Sequence, residues 1–274
     1  MEDPVSRAVR HVRLRSAGEP IPLGCAVTLN FHPDMLANDM SVIEQLARDG
    51  VYRSQFETGT SNGGLTAHAG GDRWLWESRL FGGASDDADV GLRPRYGALN
   101  HRRDPVGGSR RFGSCHLRLR PHVLNRTTFC YPDSHMHPEH FGVWDRMSLI
   151  AMADSHAASL EPLDDYIEAH VHGVLSIAAD AEAVVLDASY RETPVEEAAS
   201  RLGCAVEWHE GFSLPPDRLN DCERYRGTAA ASALADLGSG KAVTPSRIGV
   251  ARKEGLEPQL AKWAWHCVAR FGGR

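Results

Sequence analysis

An α+β fold with a central, mostly antiparallel or mixed sheet is predicted by three observations. Short β-type runs recur along the chain, helix signals fall between them, and the sequence turns helical after Pro215-Pro216. With 274 residues, 42% hydrophobic and 24% charged, the chain can bury a substantial core. An α+β domain over 1–214 and a C-terminal helical extension over 215–274 are expected. No apolar stretch approaches the roughly 20 residues of a bilayer span. Met1 to Arg15 is charged, without a signal-peptide apolar core. A cytoplasmic protein with no membrane association is expected.

Taken in order, Cys25 to Phe31 is an apolar, β-capable run closed by Pro33-Asp34, so a strand followed by a turn is expected. Ser41-Val42-Ile43-Glu44 is a capping-box pattern and Gly50 sits in the stop position, which predicts a helix over 41–49. From Tyr52 to Gly91 the Gly, Ser, Thr and Asp content predicts long loops, pinned by Trp74, Trp76 and Phe81. Arg95 to Leu99 and Ser114 to Leu119 read as strands flanking a Gly107-Gly108 turn. Asp165 to Val171, Glu182 to Asp187 and Cys204 to Trp208 add three more, with a helix over 195–202 between the last two. The tail is helical, broken at Gly238-Ser239-Gly240 and closing on Leu260 to Phe271.

Six cysteines lie far apart without a Cys-x-x-Cys pair, so buried free thiols are expected rather than a zinc knuckle or a redox motif. The net charge of −6 argues against a surface that binds nucleic acid throughout. Eight arginines against one acidic residue from Arg93 to Arg120 nevertheless mark a local anion-binding candidate or a solvated loop.

Three ordered segments carry the chemistry. The first, Leu29-Asn30-Phe31-His32, ends a strand, where a side chain or amide can reach a ligand. The second, Tyr52 to Gly63, offers Arg53, Gln55, Glu57, Thr58, Thr60, Ser61 and Asn62, with Gly59 and Gly63 allowing close backbone approach to a sugar or phosphate. In the third, Tyr166 to Gly173, strand alternation puts Tyr166, Glu168, His170 and His172 on one face. There a carboxylate can stabilise an oxocarbenium-like centre. The histidines His135, His137, His140, His170 and His172 raise a metal site as the alternative, although no His-Glu-x-x-His pattern accompanies them.

At these residues the chain resembles a bacterial family of unknown function, over about 27–212, through Thr28 to Asp34, Tyr52 to Leu65, Tyr96 to Pro105, Phe112 to Leu119 and Ile167 to Gly173. More distantly it resembles the ADP-ribosyltransferase superfamily, especially the DNA-modifying toxin branch. That resemblance implies a split β-sheet core with flanking helices and NAD as the donor substrate. It implies His32 as the ribose anchor, Gly50 after the first helix, Arg53 as the loop cation, Tyr96 as the aromatic near nicotinamide and Glu168 as the catalytic carboxylate. Asn30, Phe31, Gln55, Thr60 and Asn62 complete the implied NAD contacts, and the acceptor is a protein or nucleic acid. The chain departs from the family pattern in carrying Tyr166 where a second acid or glutamine usually precedes the catalytic glutamate. A metal-dependent hydrolase using the histidines, or a non-catalytic nucleic-acid-binding module using Arg93 to Arg120, are the other expectations.

Overall fold

Alternation along Val27-Thr28-Leu29-Asn30-Phe31 gives this strand one apolar and one polar face, and its neighbours repeat the pattern. The computed structural model describes residues 2–37, 39–59, 66–156 and 160–273. Strands β1 (Ala26–Phe31), β2 (Arg95–Asn100), β3 (Cys115–Leu119), β4 (Thr127–Tyr131), β5 (His140–Val143), β6 (Ile167–Val171), β7 (Ala181–Asp187) and β8 (Ala205–His209) form one sheet. Its order is β8-β7-β3-β1-β2-β6-β4-β5, and only β7 and β8 pair in parallel. The α+β class is therefore observed, with hydrogen bonding continuous across all eight strands.

The longer helices are α1 (Pro4–Arg13), α2 (Val42–Asp49), α3 (Asp72–Phe81), α4 (Leu149–His156), α5 (Pro194–Ala199), α6 (Leu219–Arg226), α7 (Thr228–Gly238), α8 (Pro245–Lys253) and α9 (Pro258–Phe271), with single helical turns at Gln55–Thr58 and Ile177–Asp180. α2 forms as its sequence requires. Ser41 and Glu44 cap each other's backbone amides, and Gly50 closes the helix at φ 66°. Two expectations need correction. The stretch from Tyr52 to Gly91 is not all loop, because Asp72 to Phe81 folds as α3 and buries Trp76, Leu80 and Phe81 against α1 and Phe141. Sheet strands β4 and β5 also flank the histidine loop, where the sequence signals only punctuation.

Cross-strand partners define the two faces. Val27 opposes Leu99, Leu29 opposes Leu117, and Leu99 opposes Ile167, so these side chains build the apolar face. Ile43 and Leu46 of α2, Leu149 and Ala153 of α4, and Ala198 and Ala199 of α5 pack on it to form the main core. The opposite face holds Thr28, Asn30, His116, Tyr96, Glu168, His170, Thr128 and Cys130. It is covered as well, by α1 and α3 at one end and by the tail helices at the other. Polar groups on that face are thereby buried and must find partners.

At β1 the sheet forks. The amino-terminal half of β1 pairs with β2 through Ala26 to Thr28, and the carboxyl-terminal half pairs with β3 through Thr28 to Phe31. β2 meanwhile stays on β6 from Arg95 to Leu99. Asn30 and His32 on one side, and Arg95 to Gly97 on the other, border the opening. A cleft forms there.

The tail docks instead of standing apart. Phe212, Leu214, Leu234, Val243 and Ile248 join Trp265 and Val268 in a second core that includes Leu163 of the α+β domain. No helix among the described residues is long and apolar enough to cross a membrane. All six cysteines are free, four of them buried.

Docking of α8 depends on Gly249, where a Cβ would fall 1.6 Å from Asp34 Oδ2 in the turn after β1. Gly249→Val should cost about 1–3 kcal/mol by overpacking, measured by chemical denaturation. Val250→Ala, on the exposed side of the same helix, serves as the control. Equal stability of the Gly249→Val protein and wild type would refute this contact.

Candidate active site

The fork in the sheet opens into a cleft of about 860 Å³, large enough for a dinucleotide. The residue after β1, His32, and Tyr96 of β2 enter its lining, β6 supplies Glu168, the turn after β4 supplies Asp133 and Ser134, and α9 supplies Lys262, Trp265 and His266. The three segments singled out in the sequence converge here. The helical tail closes the opposite wall.

Glu168 forms the floor and is 5% exposed. Strand alternation aims it and His170 the same way, and His170 Nε2 lies 2.8 Å from Glu168 Oε1. The Ser134 amide donates to Glu168 Oε2 at 3.1 Å. Burial works against the charge, but the bonds from His170 and Ser134 outweigh it and hold this carboxyl below the ordinary glutamate range. Beside it stands Asp133, which accepts from the Tyr166 hydroxyl and from the His135 amide, the latter at 2.6 Å. Burial, then the neighbouring Glu168 charge, raises Asp133 to about 6. Two adjacent carboxyls are thus pushed apart in acidity, one ionised and one poised near neutrality.

Tyr96 is held from behind. Its hydroxyl donates to Glu77 Oε1 at 2.8 Å, Arg93 bonds Glu77 Oε2 at 2.7 Å, and the Arg73 guanidinium lies 4.3 Å over its ring. Burial lifts Glu77 to about 7 despite Arg93. The tyrosine hydroxyl is occupied, so its ring is what the cleft receives. His32 packs edge-on to Trp265 at 4.9 Å, and burial lowers its pKa to about 4. A neutral imidazole can give or take a hydrogen bond from a sugar hydroxyl.

Other expected contacts fall out differently. The Asn30 amide is committed to the loop between β2 and β3, donating to Val106 O at 2.8 Å and Gly113 O at 3.2 Å. It shapes the rim, with no amide donor left for a ligand. Phe31 is 3% exposed and packs in the main core because alternation turns it to the apolar face, yet it also lines the cleft. Arg53 lines the cleft but pairs with Asp49 at 3.0 Å and Glu57 at 3.6 Å. Gln55 also lines it, and its buried Oε1 has no partner. Thr60 and Asn62 lie outside the described residues.

Of the histidines, His135 lines the cleft, His137 packs on Trp76 and His140 is exposed on β5. Among the described residues the group with metal-ligand spacing is instead Cys130, Glu168 and His170, whose donor atoms lie within 4.8 Å of one another. Nor do the arginines from Arg93 to Arg120 form one basic surface. Arg95 is buried against the carbonyls of Tyr52, Gly91, Arg93 and Gly173, while Arg102 pairs with Asp165 and Arg118 with Glu182 and Glu207.

Sequence reasoning missed Asp133, Ser134, Arg73 and the α9 residues. Asp133 follows Pro132 in a turn whose aspartate accepts from the amide two residues on, an Asx pattern that the sequence does hint at. The α9 residues share one face by helical spacing, but nothing local says which wall that face builds.

With this geometry, the class is an α+β protein with a forked sheet and a carboxylate-floored cleft. The chain belongs to the family described as protein of unknown function DUF3626, whose model matches residues 26–155 and 147–269. No curated protein matches it.

The raised Asp133 has a consequence for stability. Between its unfolded value of 3.8 and its folded value of about 6 the folded protein binds more protons, so stability falls as pH rises through that window. Asp34 and Glu77, lifted by burial to about 6 and about 7, contribute with the same sign. Asp133→Asn should therefore reduce the slope without abolishing it, as read from urea midpoints across the window. An unchanged slope would contradict the assigned environment.

Proposed function

We propose that the protein is an NAD-dependent mono-ADP-ribosyltransferase that moves ADP-ribose to a macromolecular acceptor and releases nicotinamide. The observation that carries this reading is the buried Glu168 carboxylate, bonded to His170 and the Ser134 amide, at the floor of a dinucleotide-sized cleft that also holds His32, Gln55 and Tyr96. The fork at β1 supports the split-sheet resemblance. In the reaction the bond between nicotinamide nitrogen and ribose C1′ breaks, and its electron pair leaves with nicotinamide. Glu168 stabilises the ribosyl cation that forms, an interaction stronger in the transition state than in the ground state. The acceptor nucleophile then bonds to C1′, and its proton passes to Asp133, whose acidity near neutrality suits a general base. Asp133 thus provides the second acid, from the turn after β4, where Tyr166 occupies the expected sequence position and bonds to it.

Incubation with labelled NAD and mixed protein and nucleic-acid acceptors tests this. Glu168→Gln should lower turnover on the order of 100- to 1000-fold with NAD affinity nearly unchanged, whereas His32→Ala should weaken NAD binding. Asp133→Asn should depress transfer more than NAD hydrolysis and remove an inflection near pH 6. No NAD binding by calorimetry and no nicotinamide release would sink the proposal.

A second reading, a metal-dependent hydrolase, is favoured by one observation, the Cys130, Glu168 and His170 group. It differs from the expected histidine set, and metal analysis of the purified protein separates the two. Stoichiometric zinc or iron lost in His170→Ala would favour the hydrolase.

A further inference from the structure

The helical wall of the cleft carries cations that the chemistry at Glu168 does not use. Lys262 and His266 stand one turn apart on α9, share a face, and line the cleft together with Arg111. The Trp265 indole donates to the Arg111 carbonyl at 2.9 Å, which fixes that arginine's backbone against the same helix. Arg226, the last residue of α6, stacks 4.1 Å over the Tyr225 ring and donates to its hydroxyl at 2.9 Å.

Of these cations Arg111 pairs with Asp164, whereas Lys262 and Arg226 form no ion pair among the described residues. His266 is 4% exposed and lines the cleft, yet its Nδ1 has no hydrogen-bond partner, and neither has Arg226 Nε. Burial and then Arg226 and Arg111 hold His266 near 3, so the ring is neutral. Burial, Arg111 and Arg226 likewise push the Lys262 ammonium below its ordinary value. Crowded positive charge beside a partnerless buried nitrogen is unfavourable by itself. An oxyanion relieves both.

We infer that Arg111, Lys262 and His266 form an oxyanion subsite that takes a phosphate group of the ligand bound in the cleft. A guanidinium fork, an ammonium and a neutral ring N–H are the donors that phosphate oxygens accept from best. The phosphate comes either from the dinucleotide's own pyrophosphate or from a phosphorylated nucleic-acid acceptor. Naming those sources rests on the transferase reading; the subsite itself does not.

Calorimetry of the full chain with inorganic pyrophosphate, then NAD, then a single-stranded oligonucleotide with and without its 5′ phosphate, tests the inference. Pyrophosphate should bind wild type, about tenfold more weakly in Lys262→Gln, as expected for one lost charged hydrogen bond, and not measurably in Lys262→Glu. Lys262 is exposed, so both variants should keep the wild-type circular dichroism. If NAD affinity falls in Lys262→Glu, the phosphate is the dinucleotide's; if only the phosphorylated oligonucleotide weakens, it is the acceptor's. Pyrophosphate binding that is absent from wild type or unchanged in both variants overturns the subsite, whatever NAD does. Lys262-dependent pyrophosphate binding without NAD cleavage keeps the subsite and removes the transferase.

Discussion

The site depends on holding a carboxylate ionised at the bottom of the cleft, where Glu168 is almost fully buried. Glu168 achieves this with two bonds supplied from different places, His170 on its own strand and the Ser134 amide in the turn after β4. A buried carboxylate without such partners takes up a proton. Lose either bond and the charge becomes unfavourable, and with it any role in stabilising a cation. The same turn carries Asp133, so one piece of backbone sets the spacing and the difference in acidity of the two carboxyls.

That arrangement is possible because the sheet is buried on both faces for different reasons. One face is ordinary hydrophobic core under α2, α4 and α5. The other collects histidines, threonines and acids, and their mutual bonds, such as Thr128 between His170 and His172, make its burial tolerable. The fork at β1 opens this polar face to ligand, and the tail closes it again through Trp265 against His32. The tail builds part of the cleft: α8 and α9 line it, and the second core ties them to Leu163 and Phe212.

The sequence made local features legible and left relations between distant segments dark. α2 could be read because its caps lie within a few residues of one another, and Glu168 with His170 because strand alternation is a two-residue rule. α3 was obscured by its glycine-rich flanks and by paired tryptophans that signal packing without a clear period. Asn30 and Phe31 sit beside His32, yet one clamps a loop and the other enters the core, a distinction that needs the covering loop's position. Asp133 and Lys262 were unreadable because their placement depends on how a turn and the tail fold back over the sheet.

The most direct test is a crystal structure of the protein with NAD or a non-cleavable analogue. The nicotinamide ribose should lie against Glu168 with the nicotinamide ring beside Tyr96, and His32 within hydrogen-bonding distance of a ribose hydroxyl. A dinucleotide bound away from the cleft, or a metal ion held by Cys130, Glu168 and His170 in its place, would contradict it.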